Sequence, residues 1–402
     1  MVIEKRGKNY RIVIYCGSDH NGRAVRMTKT YKPAPGLSDR AAKKAAYNFG
    51  MELENRIKQG QNIKYDNLSF NDFAKMYFDN YAPRLKAYTA AQYKDIYEKR
   101  LKDYFGNMKI INISPLDIIQ WLTALDKRTG NNNGDLSENS KGAYFRTLSA
   151  LFGVAVKWGV INNNPCKRVT APRSQTKVKA LEKTEVNRLF DNIDNYPDPR
   201  AVVLVYLFIL TGVRLSEAAG LVWDDINFQD KIIHINREAL YIPGEKAARI
   251  TPPKSANSNR DIFIPELLCE KLKEYKVIQD RENKQKGDLF NDNGFLFTQF
   301  NGAPVHASTI RKWIKKAFDF CGVDYITVHG LRHTFASLLI SNGIDARTTA
   351  AQLGHSAPAL VMNIYANPQN EAKRRAAAMI EKVTTQTDKK SNSPQIHPKT
   401  EI

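Results

Sequence analysis

The sequence predicts a multidomain, mainly α protein: a small N-terminal β-sheet plus helix, an all-helical bundle, and a third, mostly helical domain with a small β-sheet insert. Three observations predict it. The 402 residues suffice for two or three domains that each bury a core. Apolar residues recur at helical spacing through the middle of the chain. Alternating, β-branched stretches are confined to two places, near the N-terminus and between Ile232 and Pro265.

In chain order, YRIVIY at 10–15 and RAVRMTKTY at 23–31 alternate as short strands do, with a Gly/Asp/Asn turn between them. Ser38 then caps a helix on which Ala41, Ala45, Phe49, Leu53 and Ile57 share a face until Gly60. This first module, residues 1–60, holds 13 Lys/Arg against five acids, which favours a DNA-contacting role over a merely solvated basic face. Four amphipathic helices follow at 70–81, 88–104, 115–127 and 137–158, the third capped by Ser114 with Pro115 in its first turn, so 67–165 reads as a helical bundle. Residues 166–180, around CKRVTAPRSQTKVKA, carry five basic residues and no acid. They read as an interdomain linker, either laid along phosphates or simply solvated. The third domain spans 181–385, with strands expected in KIIHIN, ARITPP and RDIFIP, and the tail 386–402 lacks apolar periodicity and is expected to be disordered.

Lys plus Arg number 61 against 41 Asp plus Glu, a formal charge of +20 that calls for a polyanionic partner. An anionic membrane is the rival to nucleic acid. However, MVIEKRG lacks a signal-peptide pattern, and the longest apolar run, Ala201 to Leu210, is far too short to span. Cys16, Cys166, Cys269 and Cys321 are scattered without a CxxC pair, so neither a zinc site nor a disulfide framework is suggested, and a cytoplasmic location is expected.

Chemistry concentrates in the third domain. In TGVRLSEAA, at 211–219, Gly212 ends the apolar helix and Arg214 opens another, with Glu217 one turn later on the same face. Alone, such a pair is more often a structural ion pair than a phosphate clamp. In ITVHGLRHTFASLL, at 326–339, His329 and Arg332 are three apart and are expected to project together, while His333 reads as a core histidine. His355 follows in QLGH and Tyr365 in VMNIYAN; a lone tyrosine is usually core.

TGVRLSE, PKSANSNR, HGLRH, LGH and the tyrosine, in that order across about 150 residues, resemble the active-site motifs of the tyrosine recombinase family. The likeness is specifically to integrases of temperate phages and integrative conjugative elements. The resemblance implies a catalytic set of Arg214, Lys254, His329, Arg332, His355 and Tyr365, with Glu217 in support. It further implies a phenol attack on a DNA phosphodiester that yields a 3′-phosphotyrosyl link and a free 5′-hydroxyl, keeping bond energy for religation without ATP. Planar guanidiniums at Arg214 and Arg332 suit the charge that develops on the non-bridging oxygens. Family roles make Lys254 the general acid at the leaving oxygen, His329 the base for Tyr365, and His355 a hydrogen-bond donor to the phosphate. No carboxylates are spaced for a Mg²⁺ pair, so no metal or cofactor is expected.

One departure is Gly330, where many family members carry Asp. By resemblance, 1–60 is the arm-site DNA-binding domain, 67–165 the core-site DNA-binding domain and 181–385 the catalytic domain. A final helix at 369–382 resembles the element that docks on a neighbouring protomer. The expected partners are double-stranded DNA at core and arm sites and a homotetramer on that DNA, with the need for an accessory excision protein left open. The expected function is integration and excision of a mobile element. Two alternatives are a type IB topoisomerase-like nicking and resealing enzyme, which would not need the basic N-terminal module, and a non-catalytic DNA-binding regulator, which the six intact residues argue against.

Overall fold

The computed structural model describes residues 1–18, 21–58, 65–127, 136–173, 179–253 and 256–354, in two compact units, Met1–Thr176 and Lys177–Ile402. Lys254, His355, Tyr365, the helix expected at 369–382 and the tail at 386–402 lie outside the described residues, as does 174–178 of the linker.

The first unit begins with an antiparallel sheet, β1 (Val2–Arg6), β2 (Asn9–Ser18) and β3 (Ala24–Tyr31), in the order β1-β2-β3. The alternation in YRIVIY turns Tyr10, Ile12 and Ile14 onto α1 (Asp39–Lys58), where they pack with Ala42, Ala46 and Leu53. Ser38 caps that helix, its Oγ accepting from the Ala41 amide at 3.3 Å. The register places Arg11 opposite Thr30, Val13 opposite Thr28 and Tyr15 opposite Arg26, so these six side chains share the sheet's other face. The additional strand, β1, was not expected: it is nearly all exposed, and its pairing rests on backbone hydrogen bonds to β2 that leave no hydrophobic pattern.

The helical part contains α2 (Phe70–Asn80), α3 (Ala87–Ile96), α4 (Lys102–Phe105), α5 (Pro115–Lys127) and α6 (Glu138–Lys157). The continuous helix expected at 88–104 is interrupted at Tyr97–Leu101 by a π-helical turn. That turn rotates Tyr97 and Leu101 into an aromatic core shared with Phe70, Phe73, Phe105, Trp121 and Phe152, and the Tyr97 hydroxyl donates to Asn71. Ser69, Ser114 and Ser137 each accept from the amide three residues on, which starts α2, α5 and α6 where the sequence puts them.

The second unit is built around α8 (Pro199–Thr211), whose residues from Ala201 to Ile209 are all buried. It follows α7 (Lys183–Ile193) and precedes the short α9 (Leu215–Gly220). The insert holds β4 (Ile226–Asn227), β5 (Ile232–Ile235), β6 (Glu238–Leu240), β7 (Arg249–Thr251) and β8 (Arg260–Phe263). It forms two sheets, β4-β5-β8 and β6-β7, because β5 pairs with β8 across the intervening hairpin. Then come α10 (Glu266–Lys286), α11 (Ala307–Phe320), α12 (Val328–Ser341) and α13 (Ala346–Leu353), of which α10, α11 and α12 pack on α8. Among the described residues no helix is long and apolar enough to cross a membrane.

Gly212 is the joint between α8 and the residues that follow. It is left-handed at φ +62°, and a Cβ there would lie 2.6 Å from Phe335 Cδ1 and 2.8 Å from Leu353 Cδ2. Gly212→Ala is therefore expected to lower unfolding free energy by about 2–4 kcal/mol, through backbone strain and overpacking together. Urea denaturation checks this; an unchanged midpoint would mean the α8–α12 joint yields freely.

Candidate active site

Arg214 is the N-cap of α9, and the chain reverses at Gly212 so that its side chain stands at the end of the buried helix α8. Glu217, three residues on, is 1% exposed. Its carboxylate accepts the Arg214 amide at 2.8 Å and the Arg214 guanidinium on one side. On the other side it takes both terminal nitrogens of Arg260, at 3.0 and 3.2 Å. Burial alone would raise the carboxyl pKa, but the hydrogen bonds and charge of Arg260, with the Arg214 amide and charge, outweigh it and hold Glu217 below the usual carboxylate range.

The last turn of α13 gathers the arginines. Arg260 Nε donates to the carbonyl of Gln352 at 2.8 Å, Arg332 Nη2 to that of Leu353, and Arg214 Nη2 to that of Gly354 at 3.0 Å. Three successive carbonyls that a helix end leaves without internal partners are thus capped by guanidiniums, where the helix dipole also favours positive charge. Arg332 adds a 2.7 Å bond to the Gly212 carbonyl, tying α12 back to the joint below α8.

Contrary to what their spacing suggests, His329 and Arg332 do not project together. Arg332 is 4% exposed and turned inward onto Gly212 and Leu353, whereas His329 lies on the exposed side of α12. Burial and then the Arg214 charge pull Arg332 below the ordinary guanidinium value, yet arginine stays protonated and carries its charge into the site. The charges of Arg332 and Arg214 also bear on His329, whose pKa falls through desolvation first and then through these two arginines, so it is neutral near pH 7. His333 is not the core histidine expected: it is half-buried, with its Nε2 3.2 Å from Nε2 of His329, a contact that needs one ring to donate and the other to accept. Desolvation, then His329 and Arg332, push it down to about 4.

Of the residues singled out from sequence, Arg214, Glu217 and Arg332 are brought into one hydrogen-bonded cluster and His329 lies within reach of the charges of Arg332 and Arg214, while Lys254, His355 and Tyr365 lie outside the described residues. Arg260 and Ser258, whose Oγ accepts from Arg214 at 3.3 Å, were not anticipated. A signal for Arg260 was present: with period two, Arg260 shares a strand face with the buried Ile262, and a charge on a buried face needs a partner. Among the described residues no group of His, Cys, Asp or Glu is arranged to hold a metal ion.

The chain matches the phage integrase family over residues 179–372, and the phage integrase N-terminal SAM-like domain over 69–125. It is 30% identical over 385 residues to a XerC-like tyrosine recombinase of Caldanaerobacter subterraneus subsp. tengcongensis, covering 90% of this chain and 93% of that protein. Its fold is similar to that of the Tn1549 transposon integrase in complex with a circular intermediate DNA, with a TM-score of 0.60 at 22% identity, covering 76% of this chain and 98% of that one. It is also similar to a lambda integrase tetramer bound to a Holliday junction, with a TM-score of 0.53 at 16% identity, over 90% and 94% of the two chains.

The histidine pair gives the folded state a pH signature. His333 titrates near its ordinary value of about 6.5 when unfolded and at about 4 when folded. Between those values the unfolded chain binds a proton that the folded one refuses, so stability is full above pH 6.5 and is lost as pH falls toward 4. His333→Gln is expected to flatten that slope, with the smaller contribution of the same sign from His329 remaining. Urea midpoints across this range check it, and an unaltered slope in the variant would remove His333 from the account.

Proposed function

The chain belongs to the phage integrase family of site-specific tyrosine recombinases, which makes it a DNA strand-exchange enzyme, and we propose that Arg214, Lys254, His329, Arg332, His355 and Tyr365 carry out the exchange with Glu217 in support. The observation that carries this reading is the convergence of Arg214 and Arg332 on the successive carbonyls of Gly354 and Leu353, immediately before His355 in sequence. Separate motifs thereby present fixed positive charge at one point, the requirement for stabilising a phosphorane-like transition state.

In this scheme the Tyr365 oxygen attacks the scissile phosphorus, forming an O–P bond as the bond to the 5′ oxygen breaks. The phenol proton passes to neutral His329, and Lys254 supplies a proton to the departing 5′ oxygen. Arg214 and Arg332, with a hydrogen bond from His355, meet the charge on the non-bridging oxygens. Religation is the reverse, with the 5′-hydroxyl of a partner strand as nucleophile. Because the reaction exchanges one phosphodiester for another and guanidiniums supply the charge, it proceeds without ATP or a metal ion.

The larger assignment follows the same premise. Residues 181–385 form the catalytic domain, 67–165 grip core sites and 1–60 bind arm sites, in a homotetramer assembled on DNA that integrates and excises a mobile element in the cytoplasm. Support for the N-terminal role comes from the sheet face away from α1, where Arg11, Arg26 and Tyr15 stand together with Thr28 and Thr30. Two cations, an aromatic and two hydroxyls on a flat strand surface suit a DNA groove and its phosphates.

Mixed with nicked suicide substrates from the ends of its element, in EDTA and without ATP, the wild-type chain is expected to form a denaturation-resistant adduct that Tyr365→Phe does not form. Persistence of the adduct in Tyr365→Phe would show another nucleophile. Arg214→Lys and Arg332→Lys are each expected to slow adduct formation by about 10²–10³-fold, the scale for losing a transition-state donor. For the N-terminal module, replacing both Arg11 and Arg26 by Ala should reduce the slope of log binding constant against log salt by about 1–2 on arm-site DNA, and leave binding to core-only DNA unaltered. An equal loss on both DNAs would place those arginines elsewhere.

A further inference from the structure

Glu217 is a buried carboxylate beside the arginine that faces the phosphate, and taken as a pair with Arg214 it would cancel the charge the reaction needs. Arg260 changes that balance. Its side chain is 6% exposed and donates Nη1 and Nη2 to the two Glu217 oxygens at 3.2 and 3.0 Å, Nε to the Gln352 carbonyl at 2.8 Å and Nη1 to the Ser258 carbonyl at 3.0 Å. A carboxylate offers about four lone-pair sites. Those of Glu217 take the Arg214 amide, the Arg214 guanidinium and both nitrogens of Arg260, so its orientation is fixed. The backbone is closed around this arginine, for a Cβ on Gly354 would lie 3.0 Å from Arg260 Cδ and Nη1.

We propose that Arg260 is a positioning residue for strand cleavage: it neutralises and orients Glu217 so that Arg214 keeps its full charge and a set direction toward the scissile phosphate, and it ties β8 to the end of α13. The proposal rests on the reading of Arg214 as a phosphate-binding arginine. Without Arg260, Glu217 has two open lone pairs, turns onto Arg214, and draws its guanidinium away from the phosphate. Binding of DNA, spread over many contacts, changes little, whereas the cleavage rate at saturating DNA falls.

The test is single-turnover cleavage of a suicide substrate by the full chain at saturating DNA, with DNA affinity measured in parallel. Arg260→Gln is expected to slow cleavage by about 30-fold or more, with affinity held within about threefold, as befits loss of transition-state alignment rather than of binding. Glu217→Gln/Arg260→Gln, which removes both buried charges, is expected to cleave about tenfold faster than Arg260→Gln, since coupled sites are non-additive. Arg260→Lys keeps the charge but not the fork, and serves as the folded comparison if the Gln variant unfolds; it is expected to fall between wild type and Arg214→Lys. Two results would overturn the proposal: Arg260→Lys and a folded Arg260→Gln both cleaving at the wild-type rate, or a double-variant loss equal to the product of the two single losses. Failure of the underlying reading is separate, because it would appear as an Arg214→Lys enzyme that cleaves normally.

Discussion

The end of α13 is the constraint on which the arginine cluster of the second unit depends. Gln352, Leu353 and Gly354 present carbonyls that the helix cannot satisfy, and Arg260, Arg332 and Arg214 each take one. These arginines come from β8, α12 and the start of α9, so a single helix terminus fixes together three elements that are far apart in the chain. Capping in this form serves packing and charge together: the dipole end stabilises guanidiniums that would repel one another if simply buried side by side.

Around that terminus the charge is closely balanced. Among the described residues Glu217 is shared by two of the arginines, Arg214 and Arg260, while Arg332 relies on neutral carbonyls. The cluster therefore keeps a net positive charge while each buried group has directed partners. The same field acts on the histidines of α12 and favours their neutral forms, so a basic site holds an imidazole able to accept a proton near pH 7. One helix thus carries a buried, hydrogen-bonded Arg332 and, three residues earlier, an exposed His329.

The apolar helix α8 allows this polar cluster to exist at all. Its buried stretch supplies the hydrophobic support on which α10, α11 and α12 rest, and its left-handed end at Gly212 both frees a carbonyl for Arg332 and turns the chain so that Arg214 starts the next helix. Two residues of the TGVR segment are thus tied to opposite requirements, one to a conformation that glycine adopts readily and the other to a charge that must be held in place.

Much of this was legible in the residues themselves. Serine caps, the alternation of YRIVIY, the wholly apolar run of α8 and the order of TGVRLSE, HGLRH and LGH are local patterns, and local patterns determine which elements form and which groups are chemically able to act. What tertiary structure alone decided depends on partners far apart in the chain. It set the pairing of β5 with β8, beyond the β6–β7 pair, as well as with the adjacent β4, and the π-helical turn that lets Tyr97 reach Asn71. It also turned Arg332 inward and recruited Arg260 to Glu217, 43 residues away. The reason is physical: a sequence specifies a helix or strand through neighbours within a few positions, whereas the direction of a buried charge is fixed by whichever distant carbonyls and carboxylates the assembled core leaves unpaired.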